Sequence, residues 1–301
     1  MTAAALCFST GGIFVRHLPA LEAQHIVFWR SLFAGAFIFG VLAMWHRRAL
    51  PARLRAAGGA GLVSACFLAA TFFFFLFSIS RTSVANASAL MSTGPLFLAV
   101  AAWAFLGERP RGGTWLAIAA AFAGMGLMFS EGLGAGETLG NLLALGVPVA
   151  FTANYIVLRR APAETDATVS ALLAATIAVA AAAPLAWPLA ISPRDLAVVA
   201  ALGVIQIGCG LVLMTRAYHR LSAGELGLIG LAEPVLAPLW VWLAIGERPG
   251  PAALAGGALV LGAVFLNQLL LFRAGARSSR SSCDPRDRDA PAPRPRADSG
   301  P

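Results

Sequence analysis

Residues Ser83–Pro110 read SVANASALMSTGPLFLAVAAWAFLGERP, and residues 222–249 read SAGELGLIGLAEPVLAPLWVWLAIGERP. Shifted by 139 positions, the two stretches align without a gap and share Ser83/Ser222, Pro95/Pro234, Trp103/Trp242 and a closing Gly-Glu-Arg-Pro. Four shared letters would mean little. The same four after a matched Pro, a matched Trp and an apolar run of equal length mark an internal repeat.

Composition sets the class. The chain is 58% hydrophobic and only 12% charged, against about 25% charged in soluble domains. Ten apolar segments can be marked: 2–15, 25–44, 59–79, 83–106, 114–129, 139–158, 169–190, 196–218, 223–245 and 253–272. Each is expected to be a membrane-crossing helix, giving an all-α polytopic membrane protein. The seventh carries Pro184 and Pro188 near its end. The run before Arg16 is shorter than the roughly 20 residues that a span needs. Either the first helix is short or the start lacks a turn. With no basic n-region, the N-terminus does not read as a cleaved signal peptide.

All 22 basic residues are Arg, and the net charge is +8. The charges lie between apolar runs or in the tail, so they argue topology and not nucleic-acid binding. With the N-terminus in the cytoplasm, the inner loops and tail hold seventeen Arg. The outer side holds four: Arg16, Arg81, Arg194 and Arg248. The positive-inside rule therefore places both termini in the cytoplasm of a bacterial inner membrane. Cys7, Cys66, Cys209 and Cys283 make no paired spacing and read as small packed residues, with no metal or cofactor implied. His17, His25, His46 and His219 are scattered, which argues against an enzyme.

The halves fall at 1–130 and 139–272, joined by a Gly-rich outer linker at 131–138. An odd number of spans per half turns the second half over, so the expected architecture is two inverted five-helix repeats. Ser9-Thr-Gly-Gly-Ile-Phe-Val-Arg16 and Thr152-Ala-Asn-Tyr-Ile-Val-Leu-Arg159 are a weaker echo of the same pairing. Residues 273–301 are polar, Pro-rich and mixed in charge, and are expected to form a disordered cytoplasmic tail.

The doubled block with its mid-helix Pro and closing GERP, together with WRSLFAG around Arg30, resembles the EamA repeats of the drug/metabolite transporter superfamily. The resemblance covers about 1–272. It implies ten helices around a central cavity that moves small metabolites, often outward. It is nearly silent on substrate.

The site candidates follow from polar chemistry placed at membrane depth. Pro95, Pro234 and Pro238 cannot donate to the carbonyls of Met91, Gly230 and Pro234. These positions mark either kinked packing contacts or part of a binding site. Glu233 lies mid-span, where an acid costs roughly 2.5–3.5 kcal/mol on insertion scales. It reads as a proton carrier, as the partner of a substrate amine, or as a structural acid satisfied by a hydroxyl or by Asn154. Its counterpart in the first half is Gly94. Glu225 reads as an interfacial charge. Arg30 either snorkels to the interface beside Trp29 or faces the cavity as an electrostatic guide or carboxylate partner. Ser9 and Thr10, Asn86, Ser88, Ser92 and Thr93, Thr152, Asn154, Tyr155, Gln206 and Thr215 suggest a polar lumen. Of these, Asn154, Tyr155 and Gln206 are the preferred substrate contacts.

Phe72–Phe75 and Phe77 read as lipid contact and packing, or as a stacking wall. Trp240 and Trp242 read as a membrane-interface belt. AIAAAFAGMG and ALAGGALVLG, in the fifth and tenth segments, offer close packing within one protomer or across a homodimer. The GERP turns read as structural ends. The function expected is a secondary transporter, most simply an exporter of a small organic metabolite such as an amino acid. It would work by alternating access and could be driven by protons. The alternative is a non-transporting membrane scaffold or sensor, with its role in the tail.

Overall fold

The computed structural model describes residues 2–107, 112–131, 135–162, 164–218, 232–246 and 250–281. The described residues form helices and short connections. Glu225, the Glu-Arg-Pro of both GERP turns and positions 282–301 lie outside them.

The helices are α1 (Thr2–Ser9), α2 (Gly11–Arg16), α3 (Ala23–His46), α4 (Leu50–Ala56), α5 (Gly58–Ile79), α6 (Val84–Met91) and α7 (Gly94–Leu106). They continue with α8 (Gly112–Glu131), α9 (Ala135–Arg160), α10 (Ala167–Ala182), α11 (Pro193–Ala201), a π segment (Leu202–Cys209), α12 (Gly210–Tyr218), α13 (Ala232–Ile245) and α14 (Pro251–Ser281). Five stretches are long and apolar enough to cross a membrane: Ala23–Ala56, Gly58–Ile79, Val84–Phe105, Glu137–Arg160 and Pro193–Thr215. Ala3–Arg16, Gly112–Leu127, Ala167–Ala182 and Leu254–Leu270 are shorter apolar helices. The burial pattern suits lipid. Leu116 and Met44 are 71% and 68% exposed, while Ser9, Ser64, Asn141 and Arg30 are wholly buried. A surface that apolar with polar groups turned inward would aggregate in water.

Several expected segments are interrupted or shifted, each for a local reason. The first divides at Thr10, between α1 and α2. The fourth is not one kinked helix but two. Pro95 sits in the first turn of α7, where its missing N–H is harmless. The Ser92 and Thr93 hydroxyls donate to the Ala89 and Leu90 carbonyls at 2.6 Å each, closing the end of α6. The seventh stops at Ala182, short of the expected Ala190, because Pro184 cannot continue the hydrogen-bond ladder. The eighth carries the π segment at its centre. At the linker, α8 includes Glu131 and α9 starts at Ala135, so helix replaces much of the expected loop. The last helix runs to Ser281, nine residues into the segment expected to be disordered.

Capping explains where the elements start and stop. Ser83, Asp166 and Ser192 accept from the backbone N–H of Asn86, Thr168 and Asp195 at 3.1, 2.8 and 3.1 Å. The two repeats end alike: Gly107 (φ 72°) and Gly246 (φ 76°) are both left-handed immediately after α7 and α13. That is the physical content of the glycine in each GERP.

Packing across the halves is reciprocal. The first and eighth segments meet as the third and sixth do. The second meets the eighth as the third meets the seventh, and the first meets α13 as α7 meets α9. The small-residue faces of α8 and α14 pack on each other within one chain; a Cβ on Gly124 would lie 2.7 Å from the Gly256 carbonyl oxygen. Those surfaces are therefore used internally.

Gly107→Ala is expected to cost about 1 kcal/mol, because a Cβ there meets open space but a strained φ. Gly40→Ala, with open surroundings in the middle of α3, is expected to cost nothing. Thermal unfolding of the two purified variants in detergent checks the difference.

Candidate functional site

Arg30 is fully buried on α3. The snorkelling reading is therefore incorrect. The side chain turns into the bundle because acceptors lie there. Nη1 donates to Gln206 Oε1 at 3.3 Å and Nη2 donates to the Phe72 carbonyl at 3.2 Å. The guanidinium carbon lies 5.3 and 5.7 Å from the ring centroids of Phe72 and Phe75, within cation–π range. Arg30 Nε is buried with no partner. Neither bonded acceptor is a carboxylate.

The local sequence makes this arrangement possible. Gly203, in the π segment, lets that backbone lie against α3; a Cβ there would sit 2.5 Å from the Arg30 carbonyl oxygen. Gly11, just past the Thr10 break, leaves room for Gln206; its Cβ would fall 1.9 Å from Gln206 Nε2. The Arg30–Gln206 bond therefore lies between two irregular stretches of backbone, and π turns inside helices are often found at functional sites.

Ser9 and Thr10 flank the same break. Ser9 Oγ donates to the Leu6 carbonyl at 2.8 Å and accepts from Trp240 Nε1 at 3.1 Å. Thr10 Oγ1 donates to the Cys7 carbonyl at 2.7 Å. Trp240 is thus engaged with a buried serine instead of standing in an interface belt, whereas Trp242 is 49% exposed. Trp240 therefore differs from Trp242, with which its place in the chain groups it. Their two-residue spacing on a helix, which turns them to different faces, is the signal against that grouping.

Asn154 and Tyr155 belong to a second cluster. Asn154 Oδ1 accepts from Ser64 Oγ at 2.6 Å, so Asn154 is bonded to α5 and not to Glu233. The Tyr155 hydroxyl accepts from Arg159 at 3.0 Å. Both line a cavity of about 40 Å³ with Leu68, Ser170, Met214 and Thr215. Its walls are mostly apolar, and Ser170 Oγ has no partner. Such a volume holds water, whereas ligand pockets are typically about 300–1,000 Å³.

Glu233 is half-buried near the start of α13, with Pro234 beside it and Pro238 one turn on. Both prolines lie in α13, but Gly230 is outside the described residues, so only Pro238 has the residue four before it, Pro234, among them. Pro148 inside α9 was not singled out from the sequence, although its backbone effect is the one read at Pro95. Phe72 is buried, and Phe73, Phe74 and Phe75 are half-buried. The phenylalanine run therefore supplies Arg30 with one carbonyl and two rings, a role that residue type alone did not reveal.

The EamA-like transporter family matches residues 1–130 and again 138–269. The chain belongs to this family. It is 29% identical over 272 residues to an uncharacterized transporter, YwfM, of Bacillus subtilis, covering 86% of this chain and 88% of that one. It is 26% identical over 267 residues to the pseudopaline exporter CntI of Pseudomonas aeruginosa, covering 86% of this chain and 90% of that one. A solved crystal structure superposes with a TM-score of 0.64 at 20% identity, over 90% of this chain and 96% of that chain, which shows a shared fold. With its apolar helices and family membership, the chain is a multi-pass membrane protein of a family of transporters.

Gly203→Ala is expected to destabilise the protein by about 1–3 kcal/mol, because the added methyl meets backbone and not a mobile side-chain tip. Thermal unfolding against wild type checks this, with Gly40→Ala as the helix-propensity control.

Proposed function

We propose that this chain is a secondary transporter of a small organic metabolite, such as an amino acid or related compound, working by alternating access. The observation that carries the reading is the buried Arg30–Gln206 bond. It joins a charged residue of the first repeat to a polar residue of the second, where inverted-repeat transporters place their substrate sites. The reciprocal packing supports two halves related by a pseudo-two-fold axis, and ten spans in two inverted groups of five. Arginine asymmetry supports the inner membrane with both termini cytoplasmic. The likeness to a pseudopaline exporter supports the outward direction.

The cavity lined by Asn154 and Tyr155, at about 40 Å³, is too small for a metabolite, and in this reading the halves part to admit the substrate. The site is then formed by Arg30, Gln206, Ser9 and Thr10, with Asn154 and Tyr155 lining a second polar level. Cross-repeat contacts tie the bundle on either side of it. Asp166 pairs with Arg53 at 3.5 Å and with His46 at 3.7 Å, and Thr82 donates to Asn141 at 2.8 Å. Glu233 is the coupling acid of this reading, because it alternates between a charged and a neutral form that cross an apolar span at different cost.

Proteoliposomes with an imposed pH gradient test the coupling. Glu233→Gln is expected to retain exchange of labelled metabolite but to lose accumulation driven by the gradient. Full gradient-driven accumulation in that variant would remove Glu233 from the coupling step.

A further inference from the structure

We propose that the substrate presents a carboxylate, that Arg30 receives it, and that Gln206 holds the guanidinium only while the site is closed. This rests on reading the chain as a metabolite transporter. A guanidinium has five N–H donors in a planar fork. Here two of its nitrogens make bonds to neutral acceptors, at 3.3 and 3.2 Å, and Nε makes none. Charge-assisted bonds to a carboxylate are about 2.7–2.9 Å. The present bonds are longer than that, and the side chain remains short of both a counter-charge and an acceptor.

Phe72 and Phe75 hold the guanidinium through their ring faces without consuming an N–H. Ring contacts of this kind leave the N–H groups of the fork available to a bidentate partner. Gln206 is the group that can leave. Its amide rests against Gly11 at the Thr10 break and is carried by the π segment, so the backbone is irregular on both sides of it. Withdrawal of Gln206 would free Nη1, whose edge of the fork is completed by the second N–H of Nη2, for the two oxygens of one carboxylate, while Nε stays without a partner on the other edge. Arg30 is the one buried basic residue among the described residues. A single cation balances a monoanionic carboxylate, whereas a phosphate dianion would bring an excess charge into the bundle.

Thermal unfolding of the purified full-length protein in detergent, with phenylacetate, phenylacetamide and phenyl phosphate as probes, tests the proposal. Phenylacetate supplies the carboxylate and a ring for the Phe72–Phe75 wall. Saturating phenylacetate is expected to raise the unfolding midpoint of wild type by about 2 °C or more, and the other two probes are expected to leave it unchanged. Gln206→Glu places a carboxylate on Arg30 permanently. It is expected to unfold at a higher temperature than wild type and to lose the response to phenylacetate. Arg30→Gln is expected to lose the response as well.

Equal responses of wild type and Gln206→Glu to phenylacetate would overturn the proposal. So would no response of wild type to phenylacetate, or an equal response to the amide or the phosphate ester. The transport reading fails separately. Carboxylate binding without flux of any stabilising compound in proteoliposomes would leave the site and remove the transporter. Flux of metabolites with no carboxylate response would do the reverse.

Discussion

A guanidinium buried among apolar helices has to be held by acceptors, because no water reaches it and its charge is costly to strand. Arg30 is in that position, and the surroundings are arranged for it. The π segment places Gln206, Gly203 removes the bulk that would keep α3 away, and α5 turns a carbonyl and two rings toward the charge. The bond between Arg30 and Gln206 crosses from one repeat to the other.

The duplication shapes everything around that bond. Two copies of one motif packed together give reciprocal contacts, and a left-handed glycine follows α7 in one copy and α13 in the other. The copies then diverge within the aligned block. Gly94 stands where the second copy has Glu233, and Pro95 opens a new helix beside it. The cavity lined by Asn154 and Tyr155 is only about 40 Å³ and mostly apolar.

Much was legible along the chain because it is written locally. Apolar runs of span length, the repeat and its terminal glycines, the proline positions and the wholly Arg basic content can all be read without knowing what touches what. Boundaries were less legible. The breaks at Thr10 and at Ser92–Thr93 depend on hydroxyls closing helix ends, and α10 stops at Ala182, just before Pro184, although the apolar run continues beyond it. Of the candidate site, Arg30, Gln206, Ser9, Thr10, Asn154 and Tyr155 are recognisable as polar groups in apolar segments. Their division into two clusters is not.

The sequence by itself determined a membrane protein built from a doubled helical unit, since hydropathy and repetition are properties of neighbouring residues. Only the tertiary structure decided that Arg30 points inward and not to the interface, that Trp240 bonds Ser9, and that Ser64 takes Asn154. These partners lie far apart along the chain. Whether a buried polar group is satisfied depends on which helix packs against it, and that is set by the shape of all the packed faces together.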